Sequence, residues 1–167
     1  MEGNVDIVKL LLENGADVNT QGGKYGNALL AALDVNAQCE EYGNALQAAS
    51  CGGQVDIVKL LLENGTDVNA QGGRYGNALQ AASLAFAAGV DIVELLLENG
   101  ADINVEGGKY GTALQAASTA VFDSYSDCDY VKHVEVLLDN GADINSRGGQ
   151  YGSPTQAAAI RGIFWNM

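Results

Sequence analysis

The sequence is poor in the residues on which most enzyme and metal sites depend. Its 167 residues include one histidine, one proline and three cysteines. The cysteines, Cys39, Cys51 and Cys128, are odd in number and form no Cys-x-x-Cys pair, which favours a reducing compartment. His133 has no second histidine with which to build a metal cluster or a Cys/His catalytic pair. We therefore expect no enzymatic activity, no metal and no cofactor.

Positive charge and long apolar runs are also scarce. Eight Lys and Arg residues face 21 Asp and Glu residues, and the formal net charge is −13. Such a chain repels the phosphates of nucleic acids and anionic membrane surfaces. The longest weakly polar stretch, Ala81 to Val90, is far shorter than the roughly 20 residues that cross a bilayer, and Met1 to Leu12 lacks the features of a secretory signal. These absences predict a cytoplasmic or nuclear protein whose partner is another protein, with no nucleic acid and no membrane involved.

What the sequence does contain is self-similarity with a period of 33 residues between Tyr42 and Tyr75. Both tyrosines begin the block Tyr-Gly-Asn-Ala-Leu, which returns with changes further along the chain. A second block, Val-Asp-Ile-Val-Lys-Leu-Leu-Leu-Glu-Asn-Gly, runs from Val5 to Gly15, from Val55 to Gly65 and, with one change, from Val90 to Gly100. Asp-Val-Asn or Asp-Ile-Asn follows each of these glycines. Repetition of this kind indicates a stack of similar structural units.

Each block has a physical interpretation. Asn44 is an N-cap residue type and predicts a first helix through Leu46 to Ser50, where small side chains let neighbouring helices approach closely. Val55 to Asn64 has apolar residues at helical spacing and predicts a second helix that ends at Gly65. The turn-rich stretch Asp67 to Gly76 predicts a projecting, hairpin-like finger. One such unit leaves an apolar face open, and stacking of identical units covers it.

This order of elements resembles the ankyrin repeat. Asn44 to Gln47 stands where that family has Thr-Pro-Leu-His, and Gly65 to Asn69 matches the family closely. The fingers depart from it, because they carry Gly-Gly-x-Tyr-Gly where the family usually has Asp-x-x-Gly, and we expect a looser finger tip. This variant is similar to repeats in long arrays of filamentous-fungal proteins, some of which follow a nucleotide-binding switch domain. The resemblance implies an all-α repeat solenoid of helix–turn–helix units with projecting hairpin-like loops.

The repeats divide the chain unevenly within one array that spans residues 1–167. The predicted divisions are a partial repeat 1–24, a degenerate half-repeat 25–41, full repeats 42–74, 75–109 and 110–150, and a partial repeat 151–167. The half-repeat lacks a second helix. Either one lengthened helix over about Asn27 to Ala37 fills the gap, which we favour, or the stack is locally broken.

The remaining irregularities are two insertions and the two ends. Two extra residues lie between Ser83 and Val90. The larger insertion, Thr119 to Tyr130, is expected to be a solvated loop, with a contact loop as the alternative. It lacks the central Gly and the bidentate Glu of a calcium loop. Both ends of the sequence look cut, so that either the chain is a fragment of a longer array or Phe164 and Trp165 fold back over the last apolar face.

Two surfaces are candidates for binding a protein partner. The finger surface carries basic and polar residues, namely Lys24, Arg74, Lys109, Arg147 and Gln150. Such a row suits an acidic or mixed-charge segment of the partner. The second surface is a smooth groove along the first helices, which the resemblance assigns to Ala48, Cys51, Ala81, Leu84, Ala116 and Thr119. The resulting hypothesis is a non-catalytic protein–protein interaction scaffold; the alternative is a segment of the sensing array of a larger nucleotide-switch (NLR-like) protein, whose partner is the rest of a longer repeat chain.

Overall fold

The computed structural model describes residues 2–21, 28–33, 43–85, 88–119 and 127–164. Within these ranges the chain forms helices and short turns, without any strand longer than an isolated bridge. The helices are α1 Glu2–Glu13, α2 Ala28–Ala32, α3 Ala45–Cys51, α4 Val55–Glu63, α5 Ala78–Ala82, α6 Gly89–Glu98, α7 Ala113–Thr119, α8 Asp127–Asp139 and α9 Pro154–Phe164. The chain is an all-α repeat solenoid, as the sequence predicts.

The helices form two layers. The outer helices α1, α4, α6 and α8 contact one another in that order, and so do the inner helices α2, α3, α5, α7 and α9. Each of α4, α6 and α8 also packs against the inner helix that precedes it. The core lies between the layers and contains Ile57, Val58 and Leu61 of α4, which are 2%, 0% and 0% exposed. Neighbouring units therefore bury their leucine-rich faces against each other in register.

Local sequence determines where the helices begin and end. The side chain of Asn77 accepts a hydrogen bond from the backbone N–H of Gln80, and the Gln80 side chain accepts one from the backbone N–H of Asn77. This reciprocal capping box satisfies two amides that the first turn of α5 would leave without partners. At the C-terminal end of the outer helix α4, Gly65 adopts a φ of +81°. Glycine takes up this left-handed conformation without steric cost, so the chain can leave the helix there.

The half-repeat forms a shorter helix than the sequence suggests. The helix α2 ends at Ala32, and Leu33 already lies in a turn, so the lengthened helix to Ala37 is wrong. Residues 34–42 lie outside the described residues. Leu29, Leu30 and Leu33 are 2%, 2% and 1% exposed, and α2 packs against α1 and α3. The Nε2 of Gln54 donates to the carbonyl of Leu33 at 2.9 Å. A short helix thus covers apolar surface beside α1.

The stack continues past the half-repeat without a break. The backbone N–H of Asp67 donates to the side-chain oxygen of Asn19 at 2.9 Å, just as Asp102 donates to Asn69 at 2.8 Å. The Nε2 of Gln21 donates to the carbonyl of Gln71 at 3.3 Å. The first loop therefore lies directly beside the loop that follows α4, and the alternative of a broken stack is wrong.

The insertion that precedes α8 is only partly a loop. The helix α7 ends at Thr119 and α8 begins at Asp127, so the last part of the predicted loop is helical. Residues 120–126 lie outside the described residues, and so does Trp165. The backbone of Phe164 ends α9. The predicted folding back of the C-terminal aromatic residues therefore falls outside what the structure describes.

Candidate finger-row interface

The fingers are short hairpins held by pairs of glycines. The N–H of Gly72 donates to the carbonyl of Gly76 at 2.8 Å, and the N–H of Gly107 donates to the carbonyl of Gly111 at 2.9 Å. The third finger repeats this bond between Gly148 and Gly152 at 2.9 Å, which completes a set of three. We call residues 71–76, 106–111 and 147–152 together the finger row.

Successive fingers are joined through their backbones. The N–H of Lys109 donates to the carbonyl of Arg74 at 2.8 Å, and the N–H of Gln150 donates to the carbonyl of Lys109 at 2.8 Å. A Cβ added at Gly108 would lie 2.4 Å from the carbonyl carbon of Tyr75. Only a residue without a side chain permits this approach. The expectation of a looser finger tip is wrong, since the glycines let adjacent fingers pack backbone to backbone.

A ladder of tyrosine rings runs along the finger row. The rings of Tyr75 and Tyr110 lie 6.2 Å apart with an interplanar angle of 7°, and those of Tyr110 and Tyr151 lie 6.3 Å apart at 26°. The Nζ of Lys109 lies 5.5 Å from the centroid of the Tyr110 ring, within the range of a cation–π contact. Stacked aromatic pairs add to the stability gained from buried area alone. The row is therefore a rigid ribbon.

The basic residues of the finger row do not occupy one repeated position. Arg74 and Lys109 stand at the tip, and Gln150 takes the same place in the third finger. Arg147 instead precedes a glycine pair. Arg74, Arg147 and Gln150 are exposed, and Lys109 is half-buried. The fourth predicted basic residue, Lys24, lies outside the described residues. Three of the eight basic residues are thus available on this surface.

The predicted groove residues are mostly not at the surface. Ala48, Ala81 and Ala116 are each 0% exposed, and Thr119 is 2% exposed. Their small side chains let the inner helices approach so closely that neighbouring helices cover them. Their assignment to a binding groove is therefore corrected, because a buried side chain cannot contact a partner.

Two predicted groove residues at the ends of inner helices keep partial exposure. Leu84 and Cys51 are half-buried. Cys51 is disulfide-bonded, a bond that the number and spacing of the cysteines did not predict.

A second repeated network uses the glutamines at the position of the family's histidine. The Nε2 of Gln47 donates to the carbonyls of Ala70 and Gly76, both at 3.2 Å. Gln80 makes the same contacts to the next finger, with Val105 at 3.2 Å and with Gly111. Each glutamine therefore joins the start of its own inner helix to the finger of the following unit. Recurrence of Gln at this place was the only sequence signal of the network, and sequence alone did not indicate its partners.

His133, the single histidine of the sequence, is a packing residue of the outer helix α8. It is 1% exposed, and a Cβ added at Gly89 would lie 2.3 Å from its Nε2. His133 thus packs directly over the start of α6, where a side chain on residue 89 would collide with it.

In the part of the chain that the structure describes, no three His, Cys, Asp or Glu side chains form a group able to hold a metal ion. Nor does any helix there have the length and apolar character needed to cross a bilayer.

Paired helices in register, glycine-ended outer helices and a row of hairpin fingers define a repeat solenoid. This chain belongs to the ankyrin repeat family. The family model for ankyrin repeats (3 copies) matches residues 21–107, and the model for a single ankyrin repeat matches residues 1–22. No curated protein shows significant similarity to the chain. Ankyrin repeats generally mediate protein–protein interaction and are typically not catalytic.

Proposed function

We propose that this chain is a non-catalytic scaffold that binds a protein partner through the finger row. The observation that carries the proposal is the continuous ribbon of fingers, joined by backbone hydrogen bonds and stacked tyrosine rings. A rigid surface loses little conformational entropy when a partner binds. Tyr110 and Tyr151 are half-buried and add ring and hydroxyl surface to the contact, whereas Tyr75 is buried and only supports the ribbon.

The charge distribution indicates which kind of partner segment fits. Arg74, Lys109 and Arg147 lie on the finger row of a chain whose formal net charge is −13. An acidic or mixed-charge segment is attracted to these cations and is repelled by the rest of the surface. Such a pattern increases the association rate and selects the orientation more than it increases affinity. We therefore expect the partner segment to carry Asp or Glu residues beside an apolar or aromatic residue.

Selection from a displayed peptide library tests this proposal. The wild-type chain should enrich peptides rich in Asp and Glu, and a chosen peptide should bind about fivefold more weakly to the R74A/K109A variant, because exposed ion pairs each contribute less than about 1 kcal/mol. The matched control is K9A/K59A, which removes the same charge from exposed positions on α1 and α4. Binding should also weaken with added salt for the wild type and the control.

The two variants separate the finger row from a general charge effect. Equal weakening by both variants would show that only net charge matters. Unchanged affinity of R74A/K109A, measured by isothermal titration calorimetry, would exclude the finger cations from the site. Selection of peptides without acidic residues would contradict the charge argument itself.

A further inference from the structure

Two grooves open between the C-terminal halves of consecutive outer helices. The groove between α1 and α4 is lined by Lys9, Leu12, Glu13, Leu60 and Asn64. The groove between α4 and α6 is lined at the same five repeat positions, by Lys59, Leu62, Glu63, Leu95 and Asn99. All four leucines are half-buried, so each groove has an apolar floor that solvent reaches. We call the residues of these two grooves together the outer grooves.

The outer helices end on acidic residues, although this end of a helix favours cations. None of α1, α4, α6 and α8 has a basic residue in its last turn, and their last residues are Glu13, Glu63, Glu98 and Asp139. The carbonyl end of a helix carries partial negative charge, which repels a carboxylate and attracts a cation. The Nδ2 atoms of Asn64 and Asn99 each donate to a helix carbonyl at 2.8 Å, and their Oδ1 atoms accept from no residue in the described ranges. The C-terminal rim of each groove is therefore rich in hydrogen-bond acceptors.

The charge beside the grooves changes sign along the outer layer. Lys9 and Lys59 line the two grooves, whereas Glu94 of α6 and Glu135 of α8 occupy the equivalent position in the next two units. These four side chains are exposed, as is that of Glu98 at the end of α6. A cationic group is therefore attracted most strongly towards α6 and α8, and an apolar group suits the two grooves with leucine floors.

We propose that the outer grooves bind a segment of a protein partner in the polyproline II conformation, with an apolar residue at every third position and Arg or Lys at the next one. Neighbouring helices pack about 8 to 10 Å apart. A polyproline II helix has about three residues per turn and rises about 3.1 Å per residue, so every third side chain lies on the same side. Such side chains reach successive grooves, whereas those of a β-strand alternate with a period of about two residues and do not.

The charge of the occupant follows from the rim of the grooves. Two apolar side chains fill the grooves, and the cation that follows them in the same register lies over α6 and α8, where Glu94, Glu98 and Glu135 are exposed. Complementary charge of this kind orients the segment across the outer helices. The interface goes beyond the proposed function, since it uses the outer helices rather than the finger row and selects a segment of the opposite charge.

A peptide of the predicted pattern tests the proposal on the full chain. The probe is Arg-Pro-Pro-Leu-Pro-Pro-Leu-Pro-Pro-Arg, blocked at both ends, which reads the same in both chain directions. Fluorescence anisotropy of the labelled peptide should show saturable binding to the wild type. The E63Q/E98Q variant should bind it about fivefold more weakly, because exposed ion pairs each contribute less than about 1 kcal/mol. The matched control D56N/D91N removes the same charge from exposed positions in the first turns of α4 and α6, and should bind like the wild type.

Thermal unfolding separates a lost contact from a folding defect. The substitutions in E63Q/E98Q remove carboxylates from the ends of helices, where they are unfavourable, so this variant should unfold at no lower temperature than the wild type. Weaker binding together with unchanged or increased thermal stability then reports the rim of the grooves. Weaker binding together with a lower unfolding temperature would contradict the charge argument.

A second peptide and a polyamine distinguish the predicted segment from other occupants. Arg-Pro-Pro-Pro-Leu-Leu-Pro-Pro-Pro-Arg has the same composition but adjacent leucines, and it should bind at least about fivefold more weakly because only one leucine can reach a groove. Equal binding of the two peptides would overturn the proposal, and so would equal competition by spermine, since charge alone would then be sufficient. Absence of saturable binding, or equal weakening by E63Q/E98Q and D56N/D91N, would also overturn it. The R74A/K109A variant should bind the probe no more weakly than the wild type, so failure here leaves the finger-row proposal standing.

Discussion

At the residue scale, the glutamines of the inner helices connect each unit to the next. Gln80 is 0% exposed; its Oε1 accepts from the Asn77 N–H, and its Nε2 donates to carbonyls of the following finger. Buried polar groups stabilise a fold only when both sides of each bond are satisfied. Glutamine suits this position because its side chain has both a donor and an acceptor. The amide does not titrate, so these hydrogen bonds do not depend on pH.

Replacing Gln80 with leucine should destabilise the chain by about 3 kcal/mol, because buried finger carbonyls and a capping N–H lose their partner. The matched control is Q156L. Gln156 is exposed, and its Oε1 accepts from the Ser153 N–H, while its Nε2 has no partner in the described ranges. We expect a loss below about 1 kcal/mol there. Urea unfolding followed by circular dichroism measures both; equal losses would show that the contact to the next finger contributes nothing.

Glycine at the fingertip is required for a different reason from glycine at the end of an outer helix. Gly108 has a φ of +57°, and an added Cβ would meet backbone atoms of Tyr75 and Gly76 at 2.4 Å. Gly100 has a φ of +86° but nothing lies within 4 Å of its added Cβ. We expect G100A to cost about 1 kcal/mol from conformation alone and G108A to cost at least about 3 kcal/mol, since backbone cannot move aside cheaply. Thermal unfolding measures the loss of stability in both variants. A smaller loss for G108A than for G100A would contradict the expectation.

At the element scale, the half-repeat interrupts a finger that precedes the finger row. Gly43 packs against Gly72 as Gly76 packs against Gly107, and the Gln21 side chain bonds to the carbonyl of Gln71. Gln21 and Gly43 therefore take the positions at which a finger begins and ends, although residues 22–42 separate them. The described part of that segment, α2, covers apolar surface beside α1.

Deleting residues 25–41 should leave a folded stack. The deletion joins Lys24 to Tyr42 and creates Gln-Gly-Gly-Lys-Tyr-Gly-Asn, which matches residues 71–77 except for Lys in place of Arg. We expect retained helical circular dichroism and a free energy of unfolding lower by about 3 kcal/mol, because the burial of three leucines is lost. The full-length control L29S/L30S should lose a comparable amount. An unfolded deletion variant would show that the segment is needed to form the stack.

At the scale of the whole molecule, stacking aligns like charges. Asp67 and Asp102 occupy equivalent exposed positions in consecutive units, and Glu63 and Glu98 do the same one turn earlier. The outer helices carry only three lysines, Lys9, Lys59 and Lys132, against 12 Asp and Glu residues, and the formal net charge of the chain is −13. The stack therefore folds against electrostatic repulsion that dissolved salt can screen.

Raising NaCl from about 0.05 to about 0.5 M should increase the thermal midpoint by a few degrees, because salt screens the repulsion between aligned carboxylates. Differential scanning calorimetry measures the change. In the D67N/D102N variant the increase should be smaller, since asparagine keeps an oxygen for the loop N–H bonds but removes two charges. A midpoint that falls with salt, or one that responds equally in the variant, would exclude this repulsion as a determinant of stability.

Local features of this protein were predictable from sequence to a large extent. The caps at Asn44 and Asn77, the glycine that ends each outer helix and the hairpin fingers all depend on residues close together in the chain. The burial of Ala48 and its equivalents was not predictable in this way, because it depends on how closely a neighbouring inner helix approaches. The tight packing of the fingertips was missed for the same reason, as Gly108 contacts a tyrosine of the preceding unit.

The sequence by itself determined the unit, since helical periodicity, capping side chains and glycines act over a few residues. It also determined the family, because several motifs recur at matching offsets. Only the tertiary structure decided which surfaces stay open: the inner helices pack closely on each other, the fingers join into a ribbon, and Asn19 bonds to Asp67 of the unit that follows the half-repeat. These outcomes depend on contacts between units, whose distances and directions are not encoded in any one repeat.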